Sequence, residues 1–344
     1  MEQKKKPSHK KRQIIAIAAA ALALIAAVAG APYLMSGAHK NATIYVRKGS
    51  TMEQLNDSLK TRVDDDFASR VMTILKVTGS DMSKRHGAFK IAKGESPLRA
   101  ARHLRSGAPS GIKFTFNNVR TKDEWVKRAG ELYMVGADAF KQALNNPKLC
   151  AKYGKTPDNI VNILMPDSYE FYWDITPEEM LDKMKEYYDD FWDNNRKGKA
   201  KALGLSPDQV EIIASITEEE TVKNDERGKV GRLYINRFKG GMRLQADPTV
   251  KYAMGDFSIK RLTNAMLQTQ SPYNTYRVNG LPPGPIRLPE KSTIDAILDS
   301  KPHNYMYMCA KSDFSGYHDF TTDYQAHLAN AHKYQEALNR LNIK

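Results

Sequence analysis

The longest apolar stretch, IIAIAAAALALIAAVAGA at 14–31, carries no charge and no polar/apolar alternation. With Tyr33, Leu34 and Met35 it is about long enough to cross the hydrocarbon core of a bilayer as a helix. Beyond it the pattern changes to short alternating runs and helical stripes. Thr43-Ile44-Tyr45-Val46 reads as a strand, Gly49 as a turn, and Ser50 to Glu53 as the opening of a helix bearing Leu55 and Leu59. The same order recurs at Ala88 to Ile91, Gly94, and a helix opened by Ser96-Pro97 that runs through Leu104 to Gly107. A further strand is expected over 112–116 and a helix after Thr121 with Trp125, Val126 and Ala129 inward. An aromatic segment around Pro166 and Asp167 comes next, suited either to a core or to stacking on sugar rings, and then a long helix capped by Thr176-Pro177-Glu178-Glu179. The basic segment 196–201 reads as a linker.

The following stretch, 206–252, holds the main chemical candidate. Ser206, Pro207 and Gln209 supply an N-cap, a first-turn proline and the capping-box position, and Val210, Ile213, Ala214 and Thr217 recur at helical spacing. The helix ends in Glu218, Glu219 and Glu220. On an ideal helix Glu218 and Glu220 point about 200° apart, so they do not form a catalytic pair by themselves. Glu218 shares its face with Ala214, Ser215, Thr221 and Val222, none cationic, and a carboxyl so placed can stay protonated. Glu220, with Lys223 three residues on, reads as a paired or supporting carboxylate. From spacing alone, a solvated acidic helix end is the better explanation of the triplet.

Composition sharpens the picture. The 344 residues carry 53 Lys+Arg against 39 Asp+Glu, a net charge of +14, which suits an anionic partner. Part of that charge precedes the apolar run, in Lys4, Lys5, Lys6, Lys10, Lys11 and Arg12. The positive-inside rule puts this flank in the cytoplasm and everything after about residue 36 outside, which argues against nucleic acid as a partner. Ala29-Gly30-Ala31 fits a signal-peptidase site, but the run exceeds a usual signal core and favours an uncleaved anchor. Cys150 and Cys309 match no metal-ligand spacing, and their pairing is left open. The histidines His303, His318 and His327 form no ligand pair on one helix, so neither a metal nor another cofactor is expected.

Taken in order, MPDSYEFYW, ASITEEET, LYINRF, GMRLQADPTVKYAMG, SPYNTY and GLPPGPI resemble the endolytic murein transglycosylases of the YceG-like family, over nearly the whole chain. The strand, turn and capped-helix unit at 41–109 is loosely similar to LysM-like carbohydrate-binding modules. The resemblance implies an α+β fold in five parts: a basic cytoplasmic tail (1–13), a single transmembrane anchor (14–35), a LysM-like module (41–109), an intermediate αβ/helical region (110–205) and a catalytic domain (206–344). It implies lytic cleavage of the MurNAc-β-1,4-GlcNAc bond within glycan strands, leaving 1,6-anhydroMurNAc ends, at the outer face of the cytoplasmic membrane. The partners would be peptidoglycan strands and that membrane, with cell-wall synthesis proteins as further candidates.

The family's acid/base is carried over onto Glu218, the first glutamate of the E-x-E pattern. It would protonate the glycosidic oxygen and then take the proton of the sugar's own C6 hydroxyl. Glu220, Gln245, Asp247, Tyr273, Asn274 and Tyr276 would support it. Asn236, Thr249, Pro282, Pro283 and Gly284 would contact substrate. Thr217 and Glu219 depart from the family pattern, and Glu219 would raise the pKa of Glu218 by like-charge repulsion. The alternatives are a muramidase-type hydrolase recruiting Asp247 to handle water, and a non-catalytic wall-binding scaffold.

Overall fold

A computed structural model describes residues 9–340; the basic residues Lys4, Lys5 and Lys6 of the expected tail lie outside the described residues, as do 341–344. Helix α1 (His9–Met35) contains Ala16–Met35, 20 residues long and apolar enough to cross a membrane. Its large side chains at Ile17, Leu22, Leu24, Ile25, Val28, Leu34 and Met35 are 60 to 84% exposed, the reverse of a core helix. Beyond it the chain is a mixture of helices and short strands, an α+β fold.

Two compact units form. The first comprises the chain through Ile112 together with Glu170–Asp174. After α1 it contains β1 (Ala42–Val46), α2 (Met52–Lys60), α3 (Asp65–Val77), β2 (Gly87–Ile91) and α4 (Pro97–Ser106). Strands β1 and β2 pair antiparallel in the register Ala42↔Ile91 to Val46↔Gly87. Their inward residues Ile44, Val46, Phe89 and Ile91 meet Leu55, Leu59, Phe67, Val71, Leu75, Ala100 and Leu104 of the helices in one core. Ser96 caps α4 as its sequence announces, and the opening of α2 expected over Ser50 to Glu53 starts one residue later, with Thr51 as N-cap and Gln54 closing the capping box. Arg70 of α3 donates to the Pro32 carbonyl at 3.2 Å and to the Ser36 hydroxyl at 2.7 Å, and the Ser36 hydroxyl donates to the same Pro32 carbonyl, which ties α3 to the end of α1.

Strand β3 (Gly111–Phe116) carries the chain into the second unit, which spans Lys113–Tyr169 and continues from Ile175. There follow α5 (Lys122–Leu132), α6 (Gly136–Leu144), α7 (Pro147–Lys152), β4 (Asp167–Tyr172), which pairs with β3, α8 (Pro177–Phe191) and α9 (Asn194–Ala202), so the basic stretch expected as a linker is helical. Of the four aromatics at 163–173, two turn fully inward. Tyr169 stacks on Phe116 at 5.6 Å and is buried, as is Phe171, whereas Tyr172 stays 55% exposed.

The rest of this unit is built around α10 (Pro207–Glu220), followed by α11 (Asn224–Lys239), α12 (Asp247–Met254), α13 (Lys291–Leu298), β5 (Tyr307–Ala310), β6 (His318–Thr321) and α14 (Tyr324–Arg340). The Ser206/Gln209 capping box forms as the sequence predicts. Instead of presenting one stripe to a core, α10 is buried at every residue from Val210 through Glu218, because neighbours pack around it on all sides. Two glycines permit that approach. A Cβ on Gly231 would stand 2.5 Å from a side-chain carbon of Ile297, and one on Gly228 would stand 2.7 Å from the Ala296 carbonyl. Helix α11 thus lets α13 come close enough to dock its first turn on α10.

Candidate active site

All three glutamates fall in the last turn of α10, which holds no basic residue. Carboxylates there face the negative end of the helix dipole, so the placement is locally unfavourable. Each has a different solution.

Glu218 closes an internal network. One carboxylate oxygen accepts from the Glu290 backbone N–H at 2.7 Å and from the Thr293 hydroxyl, both in the opening turn of α13. The other lies 3.0 Å from Arg287 Nε, an ion-pair contact off the hydrogen-bond direction. Arg227 stands 3.9 Å away while bonding Glu290 at 2.9 Å and Thr293 at 2.7 Å. Burial pushes the Glu218 pKa up, and Thr293, Arg287, the Glu290 N–H and Arg227 pull against it. The cation-free surroundings expected from its own helix are therefore corrected: arginines arrive from other elements, and the Glu218 side chain is 2% exposed. It works as a cap on α13, where a carboxylate is favourable.

Glu219 is held between Arg120, which donates twice at 3.0 and 3.1 Å, and Arg287 at 2.8 Å. Its charge is absorbed there, and it is not among the causes of the shift at Glu218.

Glu220 opens into a cavity of about 550 Å³ that Glu218 does not line. Tyr234 donates to it at 2.8 Å. Burial, with Asp247 nearby, raises its pKa to about 7 against the weaker pull of Tyr234, Arg237 and Lys251. The expected pairing with Lys223 does not form; that ammonium sits over the Tyr317 ring, 4.7 Å from its centre.

The cavity walls follow from the LYINRF segment. Tyr234 and Arg237 are three apart on α11 and both face the cavity. Arg237 also donates to the carbonyls of Met306 at 2.6 Å and Leu244 at 2.5 Å, and Asn236 to those of His303 at 2.7 Å and Tyr305 at 3.1 Å. These bonds fix the entry to β5, whose Tyr307 and Cys309 lie on the cavity. The other side of the hairpin is tied down by Glu226, which accepts from the His318 backbone N–H at 2.9 Å and approaches its ring at 2.8 Å. Tyr324 and His327 complete this aromatic side, with Tyr307 stacked 5.4 Å from His327. Opposite stand Gln245, Asp247 and Tyr276, the Tyr276 hydroxyl donating to Asp247 at 2.5 Å. Gln245 has φ +50°, a left-handed conformation uncommon for a residue with a side chain.

Of the residues expected from sequence, Glu220, Gln245, Asp247 and Tyr276 are brought together. Asn274 and Thr249, expected to touch the glycan or its acid, are both 0% exposed. Asn274 donates to the carbonyls of Leu267 and Thr269 and accepts from the Tyr276 N–H, so it staples the loop that presents Tyr276. Thr249 bonds Thr275 and the Ala246 carbonyl, which fixes the start of α12 beside Asp247. Asn236 is occupied by the two carbonyls already named. Tyr273 packs on Tyr252 at 4.8 Å and lines a separate recess of about 200 Å³. Gly284 packs where a Cβ would meet the Asp158 carbonyl at 2.4 Å, and neither it nor Pro282 nor Pro283 lines the Glu220 cavity. Sequence reasoning missed Tyr234, Arg237, Tyr307, His318, Tyr324 and His327 as cavity residues. Only the i, i+3 spacing of the first two on one helix signalled them. Both cysteines are free thiols, Cys150 buried and Cys309 on the cavity wall.

Fold and site together define a mixed α+β protein that holds one carboxyl, tuned close to neutrality, in an open cleft walled by tyrosines, histidines and an arginine. The chain belongs to the YceG-like family, whose model matches residues 44–333. It is 36% identical over 143 residues to a Bacillus subtilis protein named endolytic murein transglycosylase, a match covering 42% of this chain and 39% of that one. A Streptococcus pneumoniae protein of the same name is 27% identical over 151 residues, covering 43% of this chain and 27% of its own length. The matched segments thus span well under half of these relatives. A crystal structure of a yceG-like protein from Listeria monocytogenes superposes with a TM-score of 0.54 at 22% identity, covering 84% of this chain and 98% of that one, a likeness of fold.

Proposed function

We propose that this protein is an endolytic peptidoglycan lytic transglycosylase that cuts the MurNAc-β-1,4-GlcNAc bond within glycan strands, with Glu220 as its single acid/base. The observation that carries the assignment is Glu220 itself: a carboxyl with pKa near 7 that faces a cleft lined with sugar-compatible aromatic and hydrogen-bonding groups. Family membership and the names of the relatives supply the substrate class. Protonated Glu220 donates to the glycosidic oxygen as the C1–O bond breaks. As a carboxylate it then removes the proton of the C6 hydroxyl, whose oxygen closes on C1 to give the 1,6-anhydro ring. Tyr234 orients the carboxyl, and Asp247, held by Tyr276, keeps its proton affinity high. Glu218, the residue that the sequence pattern favoured, serves instead to seat α13.

In this reading α1 is a single-pass anchor with its basic flank in the cytoplasm. Residues 41–109 act as a LysM-like module, 110–205 as an intermediate region and 206–344 as the catalytic part acting outside. Asp247 also gives hydrolysis a foothold, because it shares the cleft and is electrostatically coupled to Glu220. Mass spectrometry of glycan fragments released by the full chain decides. Fragments ending in 1,6-anhydroMurNAc from the parent and from Glu218→Gln, but not from Glu220→Gln, are expected. Reducing ends would assign a muramidase, and full activity of Glu220→Gln would remove the proposed acid/base.

A further inference from the structure

A second cavity, of about 610 Å³, lies in the first unit and takes no part in the site above. Its walls are the 92–95 turn after β2 and one face of α4. Arg99, Arg102, His103 and Ser106 stand at i, i+3, i+4 and i+7, so all four project to the same side, and Lys93 faces them from the turn. Lys93, Arg99 and Arg102 are exposed, and among the described residues none of their side chains has a hydrogen-bond or ion-pair partner. The one acid on the wall, Glu95, is turned back onto the Ala92 N–H at 2.9 Å. His103 is engaged by the Ala108 carbonyl at 3.2 Å and by the edge of Phe89. The cavity is therefore a net cationic recess with its cations uncommitted.

Its position is equally specific. The Gly94 N–H donates to the Ala38 carbonyl at 2.8 Å and the Ala38 N–H to the Glu95 carbonyl at 3.0 Å. Gly37 lies so close to Gly94 that a Cβ there would stand 2.7 Å from its Cα. The rim of the recess is thus bonded directly to the residues that follow the apolar helix α1, which ends at Met35.

We propose that this recess binds the phosphate of an anionic phospholipid headgroup in the leaflet where α1 ends. The inference rests on the reading of α1 as a membrane anchor. Guanidinium groups recognise phosphate oxygens by paired N–H donors, and basic residues close to a membrane surface gain from its negative potential. A free phosphate offers the same chemistry to the recess. The attachment of the rim to the end of α1 favours the lipid.

The test uses the full chain in neutral detergent, titrated with phosphatidylglycerol or phosphatidylcholine and read by native mass spectrometry. Preferential retention of phosphatidylglycerol is expected. The Arg99→Gln/Arg102→Gln variant should bind it at least about tenfold more weakly, from the loss of both guanidinium–phosphate contacts. Arg105→Gln, on the same helix but outside the cavity, should bind as the parent does. Equal binding by all three proteins would overturn the proposal. Displacement by inorganic phosphate at concentrations matching the lipid would reassign the recess to a free phosphate, and displacement by a soluble muropeptide would make it a wall-polymer site; either result overturns the lipid assignment. Flotation of the parent and the variants with vesicles after a high-salt wash separates the premises. If all float and the lipid preference is absent, the anchor stands and the recess proposal falls. If none floats, the anchor reading itself has failed.

Discussion

Replacing Glu220 by glutamine should make the second unit more stable at alkaline pH while abolishing the activity proposed for it. The folded-state pKa is raised from 4.5 to about 7, chiefly by burial. Below about pH 4.5 the carboxyl is protonated in both folded and unfolded chains and costs nothing. Between 4.5 and 7 the folded chain retains a proton that the unfolded chain has released, so stability falls as pH rises; above about 7 the full cost is present. At about 1.4 kcal/mol for each pH unit between the two values, that cost is about 3 kcal/mol. Glutamine keeps the shape and the acceptor for Tyr234 but has no charge to desolvate. Urea unfolding of the full chain and of Glu220→Gln, followed by tryptophan fluorescence, measures the difference. Trp125 and Trp192 are both fully buried in the second unit and report its unfolding. The variant should match the parent near pH 4 and exceed it by about 3 kcal/mol at pH 8. An equal difference at both pH values would mean that Glu220 is not held near neutrality, and the acid/base assignment would lose its physical basis.

Other outcomes follow from the same geometry. The rate of glycan cleavage by the parent should fall as pH rises through about 7, as Glu220 loses the proton it must donate, which a pH profile of fragment release would detect. Arg287→Met should cost about 3–5 kcal/mol in chemical unfolding, because it leaves Glu218 and Glu219 short of a cation in a buried network. Tyr276→Phe should lower cleavage while leaving the unfolding midpoint within about 1 kcal/mol of the parent, since it removes only the hydrogen bond to Asp247. Gly231→Val should destabilise by about 1–3 kcal/mol or more, by driving α13 away from α11; a thermal melt unchanged from the parent would disprove that contact.

The sequence by itself determined the elements and much of their order. The charge-free run at 14–31, the alternation in β1 and β2 and the Thr51, Ser96, Thr176 and Ser206 caps are local signals, and local backbone chemistry is enough to act on them. The opposite facing of Glu218 and Glu220 was also legible, because helical periodicity fixes it. Which of the two would face the cleft was not. That depended on Arg287 and Thr293, 69 and 75 positions from Glu218, and on Arg227 of the next helix, with α13 and its Thr293 docking against the small faces of Gly228 and Gly231. In the same way Asn274, Thr249 and Asn236 carry hydrogen-bonding groups suited to a sugar, yet tertiary structure spends those groups on backbone carbonyls and neighbouring hydroxyls. The aromatic wall arrives from the β5–β6 hairpin and α14, held by Arg237 and Glu226 across long stretches of chain. A residue's type and spacing set what it can do chemically. Burial and partners, which come from distant segments packing together, set its charge state and its access to a ligand.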